Sequence, residues 1–276
     1  MILGHGFGGT VDAGLQAYAR AFADAGWHAV LFDYRGFGSS GGKLRQHVSA
    51  TAQLQDWHAA IGWARSKAAI AADQIALWGV SLSGGHVVEV AARDDRVAAV
   101  IAQFPMLDGA AAVLNIGRYA GVRQLARLLV AGLRDTLSRL GGGSSVMIPI
   151  VAPPGGFAAL AAFEAESGYR AIAPPGWRNE VCGGITLTVP FYRPGKRLKR
   201  IRVPVLIQIA DSDSILPVSS IERFVNRSTD AVQAKHYPCG HFDAFVEAMF
   251  ETAVGDQIAF IRNHLEGGNH EEKPAQ

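Results

Sequence analysis

Charge is scarce in this sequence. Asp, Glu, Lys and Arg together make up 18% of the 276 residues, against 49% hydrophobic ones, which excludes a disordered or strongly solvated chain. Neither sign prevails: 26 Lys and Arg face 24 Asp and Glu, a formal net charge of +2. The chain therefore has no global field for nucleic acid, and any basic feature must be local. Cysteine is rarer still. Cys182 and Cys239 are too few for a four-ligand zinc site or a disulfide framework, which fits a reduced, cytoplasmic setting. No apolar run approaches the ~18 residues of a membrane span, and the N-terminus lacks a charged start followed by a long apolar stretch, so membrane insertion and export are not expected. No internal repeat is present, and no G-x-x-x-x-G-K-[ST] phosphate loop occurs.

Turn formers are abundant, with 32 glycines and 12 prolines, and between them apolar strands alternate with amphipathic helices. Strands are expected at Met1–Leu3, Trp27–Asp33, Gln74–Trp78, Val97–Phe104, Val203–Ala210 and Val232–Tyr237. Helices are expected at Leu15–Ala25, Val48–Ala69, from Leu82 onward, at Pro217–Arg227 and at Ala244–His264. Ala29-Val30-Leu31-Phe32 lacks period-2 alternation, as strands buried on both faces of a parallel sheet do. The series predicts an α/β fold with a mostly parallel sheet flanked by helices. About a hundred residues break the rhythm, so residues 1–105 and 203–266 are expected to form the core and 106–202 a helical lid inserted after the fourth strand, with 267–276 a disordered tail. Within the insertion Val122, Leu125, Leu129, Leu133, Leu137 and Leu140 recur at helical spacing, which predicts an inward apolar stripe.

Chemistry-bearing residues cluster where strands end. Leu77-Trp78-Gly79-Val80-Ser81-Leu82-Ser83-Gly84-Gly85 joins a strand to a helix and fits G-x-S-x-G imperfectly in two frames, one on Ser81 and one on Ser83. The strand ending directly before Gly79 favours Ser81; a serine acting only as a helix cap is the plain alternative. His5-Gly6-Phe7-Gly8-Gly9 follows the opening strand. Gln208-Ile209-Ala210-Asp211-Ser212-Asp213-Ser214-Ile215-Leu216-Pro217 carries two carboxylates past another, and His236-Tyr237-Pro238-Cys239-Gly240-His241-Phe242 closes the last.

These four segments, in this order, resemble the α/β-hydrolase superfamily of serine hydrolases, which includes esterases and serine aminopeptidases. The resemblance spans the expected core. It implies Ser81 as nucleophile, Asp213 as the acid, with Asp211 an alternative that would cap the turn, and His241 as general base. It also implies backbone N–H groups of Phe7 and Leu82 as the oxyanion hole. His5 would organise its loop, His236 would end a strand and His86 would be packed or on the surface. A serine hydroxyl needs a histidine to take its proton, and that histidine needs a carboxylate, so the three residue types form one functional set. The expected activity is cleavage of an ester, thioester or amide through an acyl-enzyme, with neither metal nor organic cofactor and a small-molecule acyl substrate. Acyl transfer or carbon–carbon hydrolysis by the same triad, or a non-catalytic binding protein, are the competing readings. Phe157, Phe163 and Trp177 are expected to line the acyl pocket.

Gly36-Phe37-Gly38-Ser39-Ser40-Gly41 satisfies G-x-G-x-x-G, yet Lys43–His47 separates it from the next helix, so it reads as scaffold rather than a dinucleotide loop. The run Arg193, Lys196, Arg197, Lys199, Arg200 and Arg202 could contact an anionic substrate, nucleic acid or lipid head groups, but without aromatic interleaving or net basicity it reads more readily as a solvated face. Family members carry further strands before the oxyanion loop. Their absence would leave Ala29–Phe32 an unpaired apolar edge, so either the functional start lies upstream or another subunit covers the edge in a homo-oligomer.

Overall fold

A computed structural model describes residues 1–265; the expected tail at 267–276 lies outside them. In chain order the elements are β1 (Ile2–Gly4), α1 (Leu15–Asp24), β2 (Val30–Phe32), α2 (Ala50–Arg65), β3 (Ala76–Val80), α3 (Leu82–Ala91), β4 (Ala99–Gln103), α4 (Gly109–Leu140), β5 (Met147–Ile148), α5 (Ala165–Ile172), β6 (Val181–Cys182), α6 (Ile185–Thr188), β7 (Val205–Ala210), α7 (Val218–Val225), β8 (Val232–Tyr237) and α8 (Glu247–Leu265). Short 3₁₀ stretches occupy Val189–Phe191, Pro194–Arg200 and Asp243–Phe245.

Six strands form one parallel sheet in the order β2-β1-β3-β4-β7-β8. Alternation along each strand divides the core in two. Leu3, Ala76, Trp78, Ala99 and Ile101 pack against Leu15, Tyr18 and Phe22 of α1 and Val254, Phe260 and Ile261 of α8. Ile2, Leu77, Val100 and Ile207 face Trp57 and Ile61 of α2, Val87 and Val88 of α3 and Ile221 of α7. The strand order reverses beside β1: the chain leaves β1 outward to β2 and returns to β3 on its other side. Crevices in open α/β sheets form at such a switch point, outside the carboxyl ends of the strands. Because every strand runs the same way, all the loops leaving β1, β3, β7 and β8 open onto that one rim.

The segment between β4 and β7 holds α4 and a two-stranded antiparallel sheet of β5 and β6. Asp108 caps α4, accepting from the Ala110 and Ala111 N–H groups, and Gly121 breaks the helix with φ 80°. The expected inward leucine stripe does not form. Val122, Leu129, Leu133, Leu137 and Leu140 are exposed, and the buried face is instead Gln124, Leu128, Ala131, Gly132 and Asp135. Small size and hydrogen bonding decide this. A Cβ on Gly132 would lie 2.3 Å from Thr186 Oγ1, so only the glycine face admits α6 so closely. Asp135 accepts from the Gly184 N–H at 2.8 Å and the Val146 N–H at 2.9 Å.

Candidate active site

The turn after β3 is held in an unusual backbone conformation. Ser81 has φ 56° and ψ −119°, a region that costs a non-glycine residue on the order of 1–3 kcal/mol and persists only where the surroundings impose it. Here the Ser81 N–H donates to Gln103 O at 3.0 Å, and Ser81 O accepts from the Met106 N–H at 2.8 Å. Gly79 and Gly84 permit the turn: a Cβ on Gly79 would meet Ser83 O at 2.3 Å, and one on Gly84 would meet Pro105 Cβ at 2.8 Å. β3 extends through Val80, past the expected end at Trp78, so Ser81 is the first residue beyond the strand. The two frames now separate. Ser83 is fully buried, its hydroxyl paired at 2.8 Å with the Tyr34 hydroxyl, which also accepts from Trp57 Nε1. Ser81 instead lines two spaces, a narrow cleft shared with Gly6, Phe7 and His241 and a larger apolar cavity.

His241 is buried and its Nδ1–H donates to Asp213 Oδ2 at 2.6 Å, leaving Nε2 as the acceptor. Asp213 Oδ1 accepts from the Ile215 and Leu216 N–H groups, both at 2.8 Å, so the carboxylate is fixed by its own loop. Burial alone would depress the His241 pKa, but the charge and hydrogen bond of Asp213, with a further contribution from Glu164, raise it above its ordinary 6.5. Asp211 goes elsewhere: it pairs with His236 at 2.6 Å in an exposed Asp–His couple remote in kind from the buried one.

The loop after β1 is built around a neutral histidine. His5 Nδ1–H donates to Gly6 O at 3.0 Å and Nε2 accepts from the Tyr34 N–H; burial holds its pKa down. Gly6 O also accepts from the Gly9 N–H. Since the peptide is planar and trans, tying down that carbonyl turns the Phe7 N–H the opposite way. Neither the Phe7 nor the Leu82 N–H donates to a protein acceptor among the described residues, and both residues line the cavity beside Ser81. The Gly36–Gly41 loop has no room for a phosphate. Asp33 occupies it, accepting from Ser39 N–H at 3.1 Å and reaching across to the Val11 N–H at 2.9 Å.

Three expected pocket residues sit elsewhere. The Trp177 indole N–H donates to Gly8 O at 3.0 Å while its ring stacks on Tyr169, whose hydroxyl donates to Phe7 O at 2.7 Å. This pair clasps the loop after β1, because Trp and Tyr packed against the core need partners for their polar ends. Phe157 lies under the Arg127 guanidinium. Phe163 is 87% exposed, beside Glu164, which turns inward. The cavity, about 360 Å³, is lined instead by Met106, Val113, Ile116, Leu125, Ile185 and Leu216 among others. His86 is buried in the core, Nε2–H donating to Gln53 Oε1 and Nδ1 accepting from the Tyr192 hydroxyl, with its pKa depressed by burial to about 3.

Glu164 is the residue that sequence reasoning missed. Oε1 accepts from Ser214 N–H at 2.8 Å and Ser214 Oγ–H at 2.9 Å, and Oε2 accepts from the His241 N–H at 2.9 Å. One carboxylate from the β4–β7 segment thus joins the loop after β7 to the loop after β8. Gly240 is the only local trace: a Cβ there would lie 2.0 Å from Glu164 Oε2.

Residues 8–138 match the family model of X-Pro dipeptidyl-peptidases of the S15 family. The chain is 38% identical over 264 residues to the quorum-quenching protein AidA of Acinetobacter baumannii, covering 95% of this chain and 85% of that one. It is 24% identical to thiohydrolase aneE of Aspergillus aculeatus, over 97% of this chain and 86% of the relative. Among solved structures it superposes with TM-score 0.82 on the alpha/beta hydrolase GrgF from a Penicillium species, at 24% identity, over 96% of this chain and 89% of that one.

Proposed function

The chain belongs to the α/β-hydrolase superfamily and is an enzyme of that kind; from this we propose that it cleaves acyl esters or thioesters through an acyl-enzyme on Ser81. The observation that carries the reading is the strained Ser81, facing one cleft with His241 while Asp213 holds the far nitrogen of that ring at 2.6 Å. Ser81 Oγ attacks the acyl carbon as its proton passes to His241 Nε2, and Asp213 stabilises the resulting imidazolium. The negative oxygen that forms takes the N–H groups of Phe7 and Leu82, donors worth ~100- to 1,000-fold each in rate. As the tetrahedral intermediate collapses, His241 returns the proton to the departing alcohol or thiol. Water then enters and its oxygen attacks the acyl carbon as its proton passes to His241; the bond to Ser81 Oγ breaks, His241 returns that proton to Ser81 Oγ, and the acid is released.

The β4–β7 segment acts as the lid of this site, since it supplies most of the cavity wall. An apolar space of about 360 Å³ beside the nucleophile suits an apolar acyl group of small or medium size. A fluorophosphonate probe tests the assignment. Labelling is expected in the native protein and in Ser83→Ala but not in Ser81→Ala; the reverse pattern would move the nucleophile to Ser83. The same apolar lining shields an acyl-enzyme from water, which supports acyl transfer as a second reading. Relatives named as polyketide transferases, one 34% identical over 151 residues, point the same way. Ester product formed in the presence of an added alcohol separates the two.

A further inference from the structure

A second concavity, about 650 Å³, opens between the Pro194–Arg200 stretch, α7 and the far end of α3. Seven Lys and Arg side chains line it against one carboxylate, Glu89. Arg197 bonds Glu89 at 3.2 Å, while Arg193 and Arg223 share Asp108. Lys196, Lys199, Arg200 and Arg227 are exposed and have no carboxylate partner among the described residues. Arg193 Nε is buried without an acceptor. A chain of net charge +2 thus gathers an excess of cations larger than its own total into one bowl, an arrangement whose self-repulsion an anion relieves.

The bowl adjoins the acyl cavity. Val189 and Pro190 line the cavity and the next residues, Phe191 and Tyr192, line the bowl; Ile215 and Leu216 line the cavity, and Arg223 and Phe224 of the following helix line the bowl. Along α3 the step from Leu82 to Glu89 is ~10 Å at 1.5 Å per residue. Phe191, 84% exposed, stands at the junction. A ligand with an apolar acyl end and a polyanionic end on an arm of about that length or more matches both spaces.

We propose that this bowl binds the phosphate-bearing end of a thioester substrate whose acyl group reaches Ser81. The proposal rests on the hydrolase reading above. Phosphate suits the donor set because guanidinium and ammonium groups converge from several directions on a group with three or more acceptor oxygens. The charge is confined to one bowl rather than spread along a face, which fits a compact anion better than a nucleic acid strand.

Two measurements test it. The first titrates 3′,5′-ADP, the acyl-free phosphate end of coenzyme A, into the native protein and into Lys196→Glu/Arg200→Glu, whose side chains are exposed; thermal melting checks that the variant is folded. Binding that weakens with added salt and falls about tenfold or more in the variant is expected; no binding, or equal binding by both proteins, overturns the proposal. The second compares kcat/KM for one acyl group carried on coenzyme A, on phosphopantetheine and on pantetheine. A preference of about tenfold for the phosphorylated carriers, lost in the variant, supports the site, and the order of the first two says whether the nucleotide or the pantetheine phosphate is read. Equal rates on all three overturn the proposal while leaving the hydrolase reading intact, whereas absent fluorophosphonate labelling strikes the hydrolase reading and the thioester with it, leaving the titration to report on anion binding in the bowl by itself.

Discussion

At Glu164 a single carboxylate serves two loops, and its charge also bears on the proton acceptor. In the proposed mechanism His241 must be neutral to take the Ser81 proton, so activity is expected to fall as pH drops through its pKa, which lies above 6.5 under the joint influence of Asp213 and Glu164 against burial. Glu164→Gln keeps the size, removes the charge and leaves one oxygen where two accepted. The acid limb of kcat/KM is expected to move to lower pH, with a lower plateau because the Ser214 and His241 amides lose part of their anchor. A drop in rate with an unmoved limb would reduce Glu164 to a structural prop. The placement of Ser81, Asp213 and His241 at one rim was readable beforehand because their loops carry short local patterns at strand ends. Glu164 was not, since its partners lie 50 and 77 positions away and nothing local marks such a pairing. The aromatics of the insertion misled for a related reason: hydrophobic character told that Trp177 and Phe157 would meet something, while the hydrogen-bonding needs of the indole and the cation above the phenyl ring determined what.

Among the elements, the strands and helices of the sheet region fell within a few residues of their expected bounds, because turn residues bracket them and most strands are continuous apolar runs. α4 shows where periodicity runs out. Its leucines repeat correctly, yet its buried face is chosen by close approach at Gly132 and by the two amides bound to Asp135. Two glycine replacements make this measurable. Gly255, in α8, has open space around its Cβ position, so Gly255→Ala is expected to stabilise by up to about 1 kcal/mol through helix propensity. Gly132→Ala carries the same propensity gain but collides with Thr186 and Leu187, and is expected to destabilise by about 1–3 kcal/mol. Denaturant midpoints of the two variants read the difference, and a rise in both would show that α6 does not press on α4.

Over the whole molecule, buried histidines set the response to acid. His5 and His86 are held neutral by burial, the latter down to about 3, whereas the unfolded chain takes up protons near 6.5. The unfolded state therefore binds more protons between those values, and stability falls as pH drops from about 6.5 toward 3. His241 acts oppositely, its contribution being full below 6.5 and lost as pH rises through its raised pKa. Melting temperature against pH should decline on the acid side, and His86→Gln, which removes one titrating group, should flatten that decline; an unchanged slope would place the acid sensitivity elsewhere. Among the described residues no helix is long and apolar enough to cross a membrane.

The sheet presents its loops at one rim, an architecture that invites exchange of the β4–β7 segment for another with a different cavity shape. The bridge from Glu164 limits that freedom. A transplanted insertion would have to bring an acid to the same point above Gly240, or the donor of new specificity would loosen the loop that holds His241 in its host. Diversification of this scaffold should then proceed more readily by replacing α4 and α6 than by altering the stretch that leads into α5.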